Sequence, residues 1–183
     1  MKGKDVILGI LQKKPRTGYE INDILQNQIS YFYDGTYGMI YPTLKKLKKE
    51  GKVEKKTIIQ SDKPNKNVFS ITDKGEDELN KYLNSDSVSE VFKSDFLMKL
   101  FFGENLKKQQ VIKLINNEIE NKEEQIRKLT ISLEQWEDQG ISKLQKITVG
   151  YGLTEYRAVV EYLKEQLKFL EDDNKTTAPN KNS

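Results

Sequence analysis

The 183-residue chain contains no cysteine and no histidine. The first absence removes disulfides, thiolate nucleophiles and thiolate zinc sites, and the second removes imidazole ligands and every triad that needs an imidazole base. No metal site or cofactor is expected, and most hydrolytic and redox mechanisms are excluded. No apolar run approaches the roughly 18 residues of a transmembrane helix, and the apolar stretch in the opening MKGKDVILGI is too short for a secretory signal. The expectation is a cytoplasmic protein with no membrane contact. Charge, by contrast, is abundant: 32% of residues are Asp, Glu, Lys or Arg, against 36% hydrophobic. At about 150 residues per domain, the length allows one domain or two small ones.

The net charge of +3 is unevenly spread. Residues 1–85 hold 16 Lys and Arg against 11 Asp and Glu, whereas residues 86–183 hold 15 against 17. Within the basic half, Lys45, Lys46, Lys48, Lys49, Lys52, Lys55 and Lys56 fall inside twelve residues, diluted only by Glu50 and Glu54. Such a cluster is an electrostatic footprint for phosphate, or alternatively a solvated helix face in a lysine-rich protein.

Along the chain, Val6, Ile7, Leu8, Ile10 and Leu11 predict a short buried helix over 5–12, stopped by Pro15. Thr17 and Glu20 have capping-box spacing ahead of Ile21, Ile24, Leu25 and Ile29 at helical intervals. Thr36 then caps a third helix with the stripe Ile40, Leu44 and Leu47 and a stop at Gly51. From Val53 the period changes to two, predicting a hairpin whose basic, proline-containing tip is Ser61 to Asn67. Thr72 or Asp73 caps a fourth helix with Leu79, Tyr82 and Leu83 inward, and Asn84 to Ser87 reads as a linker.

The remainder reads as helix. A short apolar helix is expected over 88–102, with Phe96 and Leu100 in it, ending at Gly103. Val111, Ile115, Ile119, Lys122, Ile126, Leu129, Leu133 and Trp136 then step by three and four as a heptad seam, and Tyr156, Val160, Leu163, Leu167 and Leu170 repeat the pattern in a last helix expected after Gly150 and Gly152. Two such seams require each other or a second chain. Phe96, Leu100, Ile115, Ile119, Ile126, Leu133, Tyr156, Val160, Leu163 and Leu167 are the candidate dimerisation residues. The fold class is mainly α, an α+β winged helix: residues 1–85 form a winged helix-turn-helix DNA-binding domain, 86–173 a helical dimerisation domain and 174–183 a disordered tail.

Three helices followed by a basic hairpin is the order of a winged helix-turn-helix, whose third helix enters the major groove while the hairpin lies over the flanking backbone. The outward face of that helix then holds Thr36, Tyr37, Gly38, Tyr41, Pro42, Lys45, Lys48 and Lys49. Free amides at its N-terminus favour a phosphate, and Gly38 permits close approach. The plainer alternatives are that Thr36 only caps, Gly38 only packs and Tyr41 is a packing residue with a wet hydroxyl.

These residues resemble the PadR-like family of transcriptional regulators. The resemblance rests on Ile7 to Leu11, Gly18-Tyr19-Glu20-Ile21, Gly38 to Leu47 with Tyr41-Pro42-Thr43-Leu44 at its centre, Glu50-Gly51, Val68 to Gly75, and Phe96 to Phe102. It spans about residues 5–103 and thins to pattern beyond Gly103. Phe69 departs from it, because these proteins usually carry Tyr there. The resemblance implies a homodimeric repressor on a near-palindromic operator, with the C-terminal helices forming the dimer and, in some members, a ligand-sensing cavity. Lys45, Lys48 and Lys49 would then hold phosphates or guanine edges, Tyr41 a base edge or phosphate, Lys63 and Lys66 the flanking backbone, and Tyr19 a further phosphate.

The alternative is a winged-helix adaptor whose basic face binds an acidic protein. An enzyme is disfavoured, because Glu118, Glu120, Glu123 and Glu124 do not converge at helical spacing. Trp136, the only tryptophan, is the candidate for a pocket taking a small hydrophobic or aromatic effector, although such a residue also serves simply as packing.

Overall fold

The computed structural model describes residues 2–59, 61 and 65–172. The chain divides into two compact units, Met1–Glu90 and Val91–Ser183, whereas the sequence places the boundary at 85. The segment 174–183, expected to be disordered, lies outside the described residues.

In the first unit, α1 (Gly3–Gln12) starts two residues before the expected Asp5, because the Asp5 carboxylate accepts the Lys2 amide at 2.8 Å and so caps an earlier turn. A two-residue strand, β1 (Arg16–Thr17), follows. It is too short to show any sequence period and was not anticipated. Helix α2 (Gly18–Asn27) begins with the predicted capping box: Glu20 N–H donates to Thr17 Oγ1 at 3.2 Å, and Thr17 N–H donates to Glu20 Oε2 at 2.7 Å. After α3 (Tyr37–Lys49), the wing is β2 (Val53–Ile58) and β3 (Lys66–Ile71), paired antiparallel from Val53 opposite Ile71 to Ile58 opposite Lys66. Strand β1 pairs with the other edge of β3, giving a sheet of order β1-β3-β2.

The core of this unit joins Ile7, Leu8 and Leu11 of α1, Ile21 and Leu25 of α2, and Ile40, Leu44 and Leu47 of α3 to Val53, Phe69 and Leu79. Each helix supplies an apolar stripe at three- and four-residue spacing. Helix α4 (Asp73–Leu83) is capped by Thr72, whose hydroxyl accepts from Gly75 N–H at 3.2 Å. Its Leu83 does not face inward as expected: the last residue of the helix, it is 59% exposed and stands outside the core cluster.

In the second unit the expected helix over 88–102 is shorter. Helix α5 (Asp95–Phe101) starts where the Ser94 hydroxyl accepts from Leu97 N–H at 3.1 Å, and residues 86–94 are not helical. Helix α6 (Lys108–Asp138) ends in a Schellman turn around Gly140, at φ 79°, with Ile141 N–H donating to the Trp136 carbonyl at 2.9 Å. Helix α7 (Lys143–Asp172) then runs unbroken through Gly150 and Gly152, which were expected to precede it. It starts at Ser142, whose hydroxyl accepts from Gln145 N–H at 3.2 Å. The roughly 1 kcal/mol that a glycine costs inside a helix is outweighed here by packing on α6.

The two heptad seams meet each other within the chain. Ile115 and Ile119 of α6 pack with Val160 and Leu163 of α7, flanked by half-buried Phe96, Leu100, Ile126 and Leu167. Tyr156 receives the Lys122 ammonium over its ring at 5.0 Å. Burial of these residues therefore needs no second chain. Truncating Leu163 to Ala should cost about 2–5 kcal/mol of unit stability through the cavity it leaves. Thermal unfolding followed by circular dichroism checks this, and a loss under about 0.5 kcal/mol, the size of a surface effect, would contradict the seam.

Candidate nucleic-acid interface

The presentation of α3 begins at its two ends. Before it, Gln26 Nε2 donates to the Gly35 carbonyl at 2.7 Å, pinning the loop that leads into Thr36. Thr36 occupies the N-cap position, but its hydroxyl makes no capping bond, so the expected side-chain cap is absent and the Thr36 carbonyl alone accepts, from Met39 N–H at 3.1 Å. Pro42 lies inside the helix and has no amide to offer the Gly38 carbonyl. After it, Gly51 at φ 70° closes a second Schellman turn, with Lys52 N–H on the Leu47 carbonyl at 2.9 Å. This is the stop read from the sequence.

That C-terminal turn is tied to α4. The Thr72 hydroxyl donates to the Gly51 carbonyl at 2.8 Å while accepting from Gly75, and Thr72 N–H donates to the Lys52 carbonyl at 3.2 Å. Gly75 is required by this contact: a β-carbon there would lie 2.2 Å from the Lys52 carbonyl oxygen. The Lys52 ammonium meets Glu50 at 2.8 Å and Glu78 at 3.4 Å, and Lys4 also pairs with Glu78. Lys52 is thus neutralised and drops out of the basic cluster.

The remaining lysines behave differently. Lys45, Lys46, Lys48 and Lys49 on α3 and Lys55 and Lys56 on β2 are all exposed, and no carboxylate among the described residues forms an ion pair with them. Lys46, Lys55 and Lys56 belong to this surface although the sequence-based selection passed over them; the local density of lysine was the available signal. Lys66 is exposed at the start of β3. Lys63 lies outside the described residues.

Aromatic groups complete the surface. Tyr19, in the first turn of α2, is 78% exposed. Tyr37 and Tyr41 meet edge to face with centroids 6.0 Å apart. A hydrogen bond with Tyr37, together with partial burial, raises the Tyr41 hydroxyl above the ordinary tyrosine pKa. The Tyr41 ring lies over Gly18, where a β-carbon would meet its hydroxyl oxygen at 2.6 Å. Tyr41 therefore packs through its ring yet leaves 48% of its surface open, so the two readings of it are not exclusive. At Gly38 a β-carbon would meet nothing within 4 Å, which removes the packing explanation for that glycine.

In the second unit, an open cavity of about 470 Å³ is lined by Lys99, Phe102, Gly103, Leu106, Gln110 and Leu114. Trp136 is not among these; it is half-buried near the end of α6. Among the described residues no cluster of acidic side chains could hold a metal, and no helix is long and apolar enough to cross a membrane.

A three-helix unit whose third helix shows a lysine-rich outer face, followed by a two-stranded wing, defines a winged helix-turn-helix protein. Comparison with known proteins narrows the class. Residues 7–81 match the transcriptional regulator PadR-like family, and residues 92–171 match the virulence activator alpha C-terminal family. The negative transcriptional regulator PadR of Bacillus subtilis (strain 168) is 31% identical over 132 residues, 72% of this chain and 72% of that protein. The chain belongs to the PadR-like family of transcriptional regulators, and its relatives are not enzymes.

Solved structures agree. A protein of Streptococcus mutans UA159 is 57% identical with a TM-score of 0.84, covering 92% of this chain and 99% of that one. A PadR-like transcriptional regulator of Bacillus cereus is 37% identical with a TM-score of 0.85, covering 94% and 99%. Bacillus subtilis PadR in complex with operator DNA is 26% identical with a TM-score of 0.81, covering 91% and 98%; with p-coumaric acid it aligns at 25% and 0.75, covering 92% and 98%.

Gly38 and Gly75 make a discriminating pair. Gly38→Ala should leave stability unchanged or raise it by up to about 1 kcal/mol, because an alanine suits a helix interior better and meets no atom. Gly75→Ala should lower stability by at least about 1 kcal/mol through its clash with backbone. Chemical denaturation distinguishes them, and equal effects would contradict the assignment. A pH effect follows from the α2 cap. The Thr17 hydroxyl and amide bond the Glu20 carboxylate and hold its pKa below the ordinary value. The stabilisation is present above the unfolded-state pKa of about 4.3 and is lost as pH falls through the lowered folded value. The melting-temperature advantage of wild type over Glu20→Ala should therefore shrink on acidification, whereas an advantage constant with pH would show that the ionised carboxylate contributes nothing.

Proposed function

We propose that this regulator is a homodimeric repressor that binds a near-palindromic operator and is released by a small aromatic or hydrophobic effector. The observation that carries the DNA reading is the set of exposed lysines on α3, free of carboxylate partners among the described residues, beside a glycine that leaves the helix N-terminus open. Lys45, Lys48 and Lys49 hold phosphates or guanine edges, and Tyr41 reads a base edge or phosphate on the face that also carries Thr36 and Pro42. The amides of Tyr37 and Gly38 receive a phosphate at the helix N-terminus, as does Tyr19 on α2. Lys66 at the start of β3 holds the flanking backbone, the role the sequence also gives Lys63.

Repression follows the negative regulation in the name of the Bacillus subtilis relative, and two-fold symmetry of the dimer would be mirrored in the operator. Helix α5 supports self-association, because Leu97, Met98 and Phe101 are exposed on a helix with no buried residue and Phe102 is exposed at its C-cap. The effector reading takes its chemistry from the relative solved with p-coumaric acid. The cavity beside α5 suits an aromatic acid, since Phe102, Leu106 and Leu114 are apolar while Lys99 and Gln110 are polar.

Salt-titrated gel shifts test the assignment of reader and clamp. Lys66→Ala should weaken operator and random duplex alike and lower the log–log salt slope by about 1 per wing, or about 2 for the dimer. Lys45→Ala should cost more on the operator than on random DNA, by about 1–3 kcal/mol per half-site if it reads a guanine. Gly38→Ala should weaken both DNAs while the fold keeps its stability. Duplex binding that does not fall with salt would overturn the DNA reading, and reversed behaviour of the two lysine variants would place the wing in a groove.

A further inference from the structure

The first turn of α3 carries Tyr37 and Gly38, the residues set against DNA in the preceding section, yet it has few bonds of its own. The Thr36 hydroxyl makes no cap, the amide missing from Pro42 leaves the Gly38 carbonyl without its helical partner, and glycine is a weak helix former. What holds the turn comes from outside it. Met39, the third residue of the helix, packs against the core, and its Sδ accepts a hydrogen bond from the Tyr33 hydroxyl at 3.4 Å.

Tyr33 is fitted closely at both ends of its ring. A β-carbon on Gly35 would lie 2.8 Å from the ring at Cε1. A β-carbon on Gly3, in the first turn of α1, would lie 3.7 Å from the Tyr33 hydroxyl and 2.6 Å from Met39 Cε. Thr43, one turn further along α3, borders the same spot at 3.8 Å. Gly35 is itself pinned, because its carbonyl accepts from Gln26 at 2.7 Å and its amide donates to the Tyr33 carbonyl at 3.1 Å. Burial, and after it the charges of Asp34 and Asp5, raises the Tyr33 hydroxyl above the ordinary tyrosine pKa, which preserves the proton it donates. One side chain thus links the loop before α3, the start of α1 and the first turn of α3.

We propose that Tyr33 is a positioning residue for DNA recognition, fixing the first turn of α3 through its bond to Met39 and so setting the place of Tyr37, Gly38 and Tyr41. This rests on the reading that α3 meets DNA. Tyr33 acts through Met39 and needs no DNA contact of its own. A thioether is a weak acceptor, so the bond contributes little to global stability. A turn with few bonds of its own nevertheless gains freedom when that bond is lost, and DNA binding must then remove it.

Three variants separate positioning from packing. Tyr33→Phe removes the hydroxyl and keeps the ring on Gly35, while Met39→Leu removes the acceptor and keeps the apolar volume. Gly3→Ala suits a helix but sets its β-carbon against Met39 Cε. Binding is followed by salt-titrated gel shift on a duplex that the wild-type protein enriches from a random-sequence pool, at a temperature where circular dichroism shows each variant folded. Tyr33→Phe and Met39→Leu should each weaken binding about two- to tenfold, and together no more than either alone, because they remove the same bond. The log–log salt slope should stay the same, since no charge is lost. Gly3→Ala should weaken binding by itself and add nothing beside Met39→Leu, because leucine has no Cε. Wild-type affinity in the two folded single variants, or losses that add, would overturn the proposal and leave the DNA reading intact. If Tyr33→Phe does not fold, the Gly3 and Met39 variants decide the matter by the same criterion. Failure of the wild-type protein to enrich any duplex would remove both the proposal and the reading beneath it.

Discussion

The junction of Gly51, Lys52, Thr72 and Gly75 holds the lysine-bearing side of the first unit together. There the C-terminus of α3, the residue just before the wing and the N-terminus of α4 meet within one hydrogen-bonded turn. Thr72 satisfies an orphan carbonyl of α3 and an orphan amide of α4 with the same hydroxyl. Gly75 lets α4 rest on the Lys52 carbonyl, and Lys52 itself is held by Glu50 and Glu78. Since β2 begins at Val53, the angle between α3 and the wing is set at this point. The exposed lysines on α3 and β2 share one frame because of it.

That junction also explains how a uniform run of lysines becomes a patterned surface. Charge density alone treats Lys52 like its neighbours. Packing turns it toward two carboxylates, and its ammonium is held charged above the ordinary lysine pKa chiefly by the bond to Glu50. The other six lysines of the run form no ion pair among the described residues and face solvent, which is the arrangement that attracts a phosphate backbone. Tyr41 shows the same division inside one residue. Its ring is fixed over Gly18 and its hydroxyl is bonded to Tyr37, while about half of the residue remains at the surface.

In the second unit the governing constraint is that a helix of some thirty residues must cover a stripe along its whole length. Helices α6 and α7 satisfy this for each other, joined by a tight turn at Gly140. The seam therefore accounts for the hairpin, and the exposed Leu97, Met98 and Phe101 of α5 lie outside it.

Wherever local periodicity, caps and breakers decide, the sequence by itself determined the outcome. The three helices and wing of the first unit, the Thr17–Glu20 box, the Gly51 stop and the heptad seams all show as residue spacings within a few positions of one another, so the pattern alone announces them. Tertiary structure alone decided the features that depend on contacts distant in sequence. Strand β1 exists only because β3 offers it an edge, and Gly150 and Gly152 remain helical only because α7 has α6 to pack on. Likewise Glu78 reaches Lys52 from another helix to join Glu50, Gly38 is free while Gly18 and Gly75 are crowded, and the seam closes within one chain. Each of these is a question of which atoms become neighbours after folding, and spacing along the chain carries that information only for residues within a turn or two.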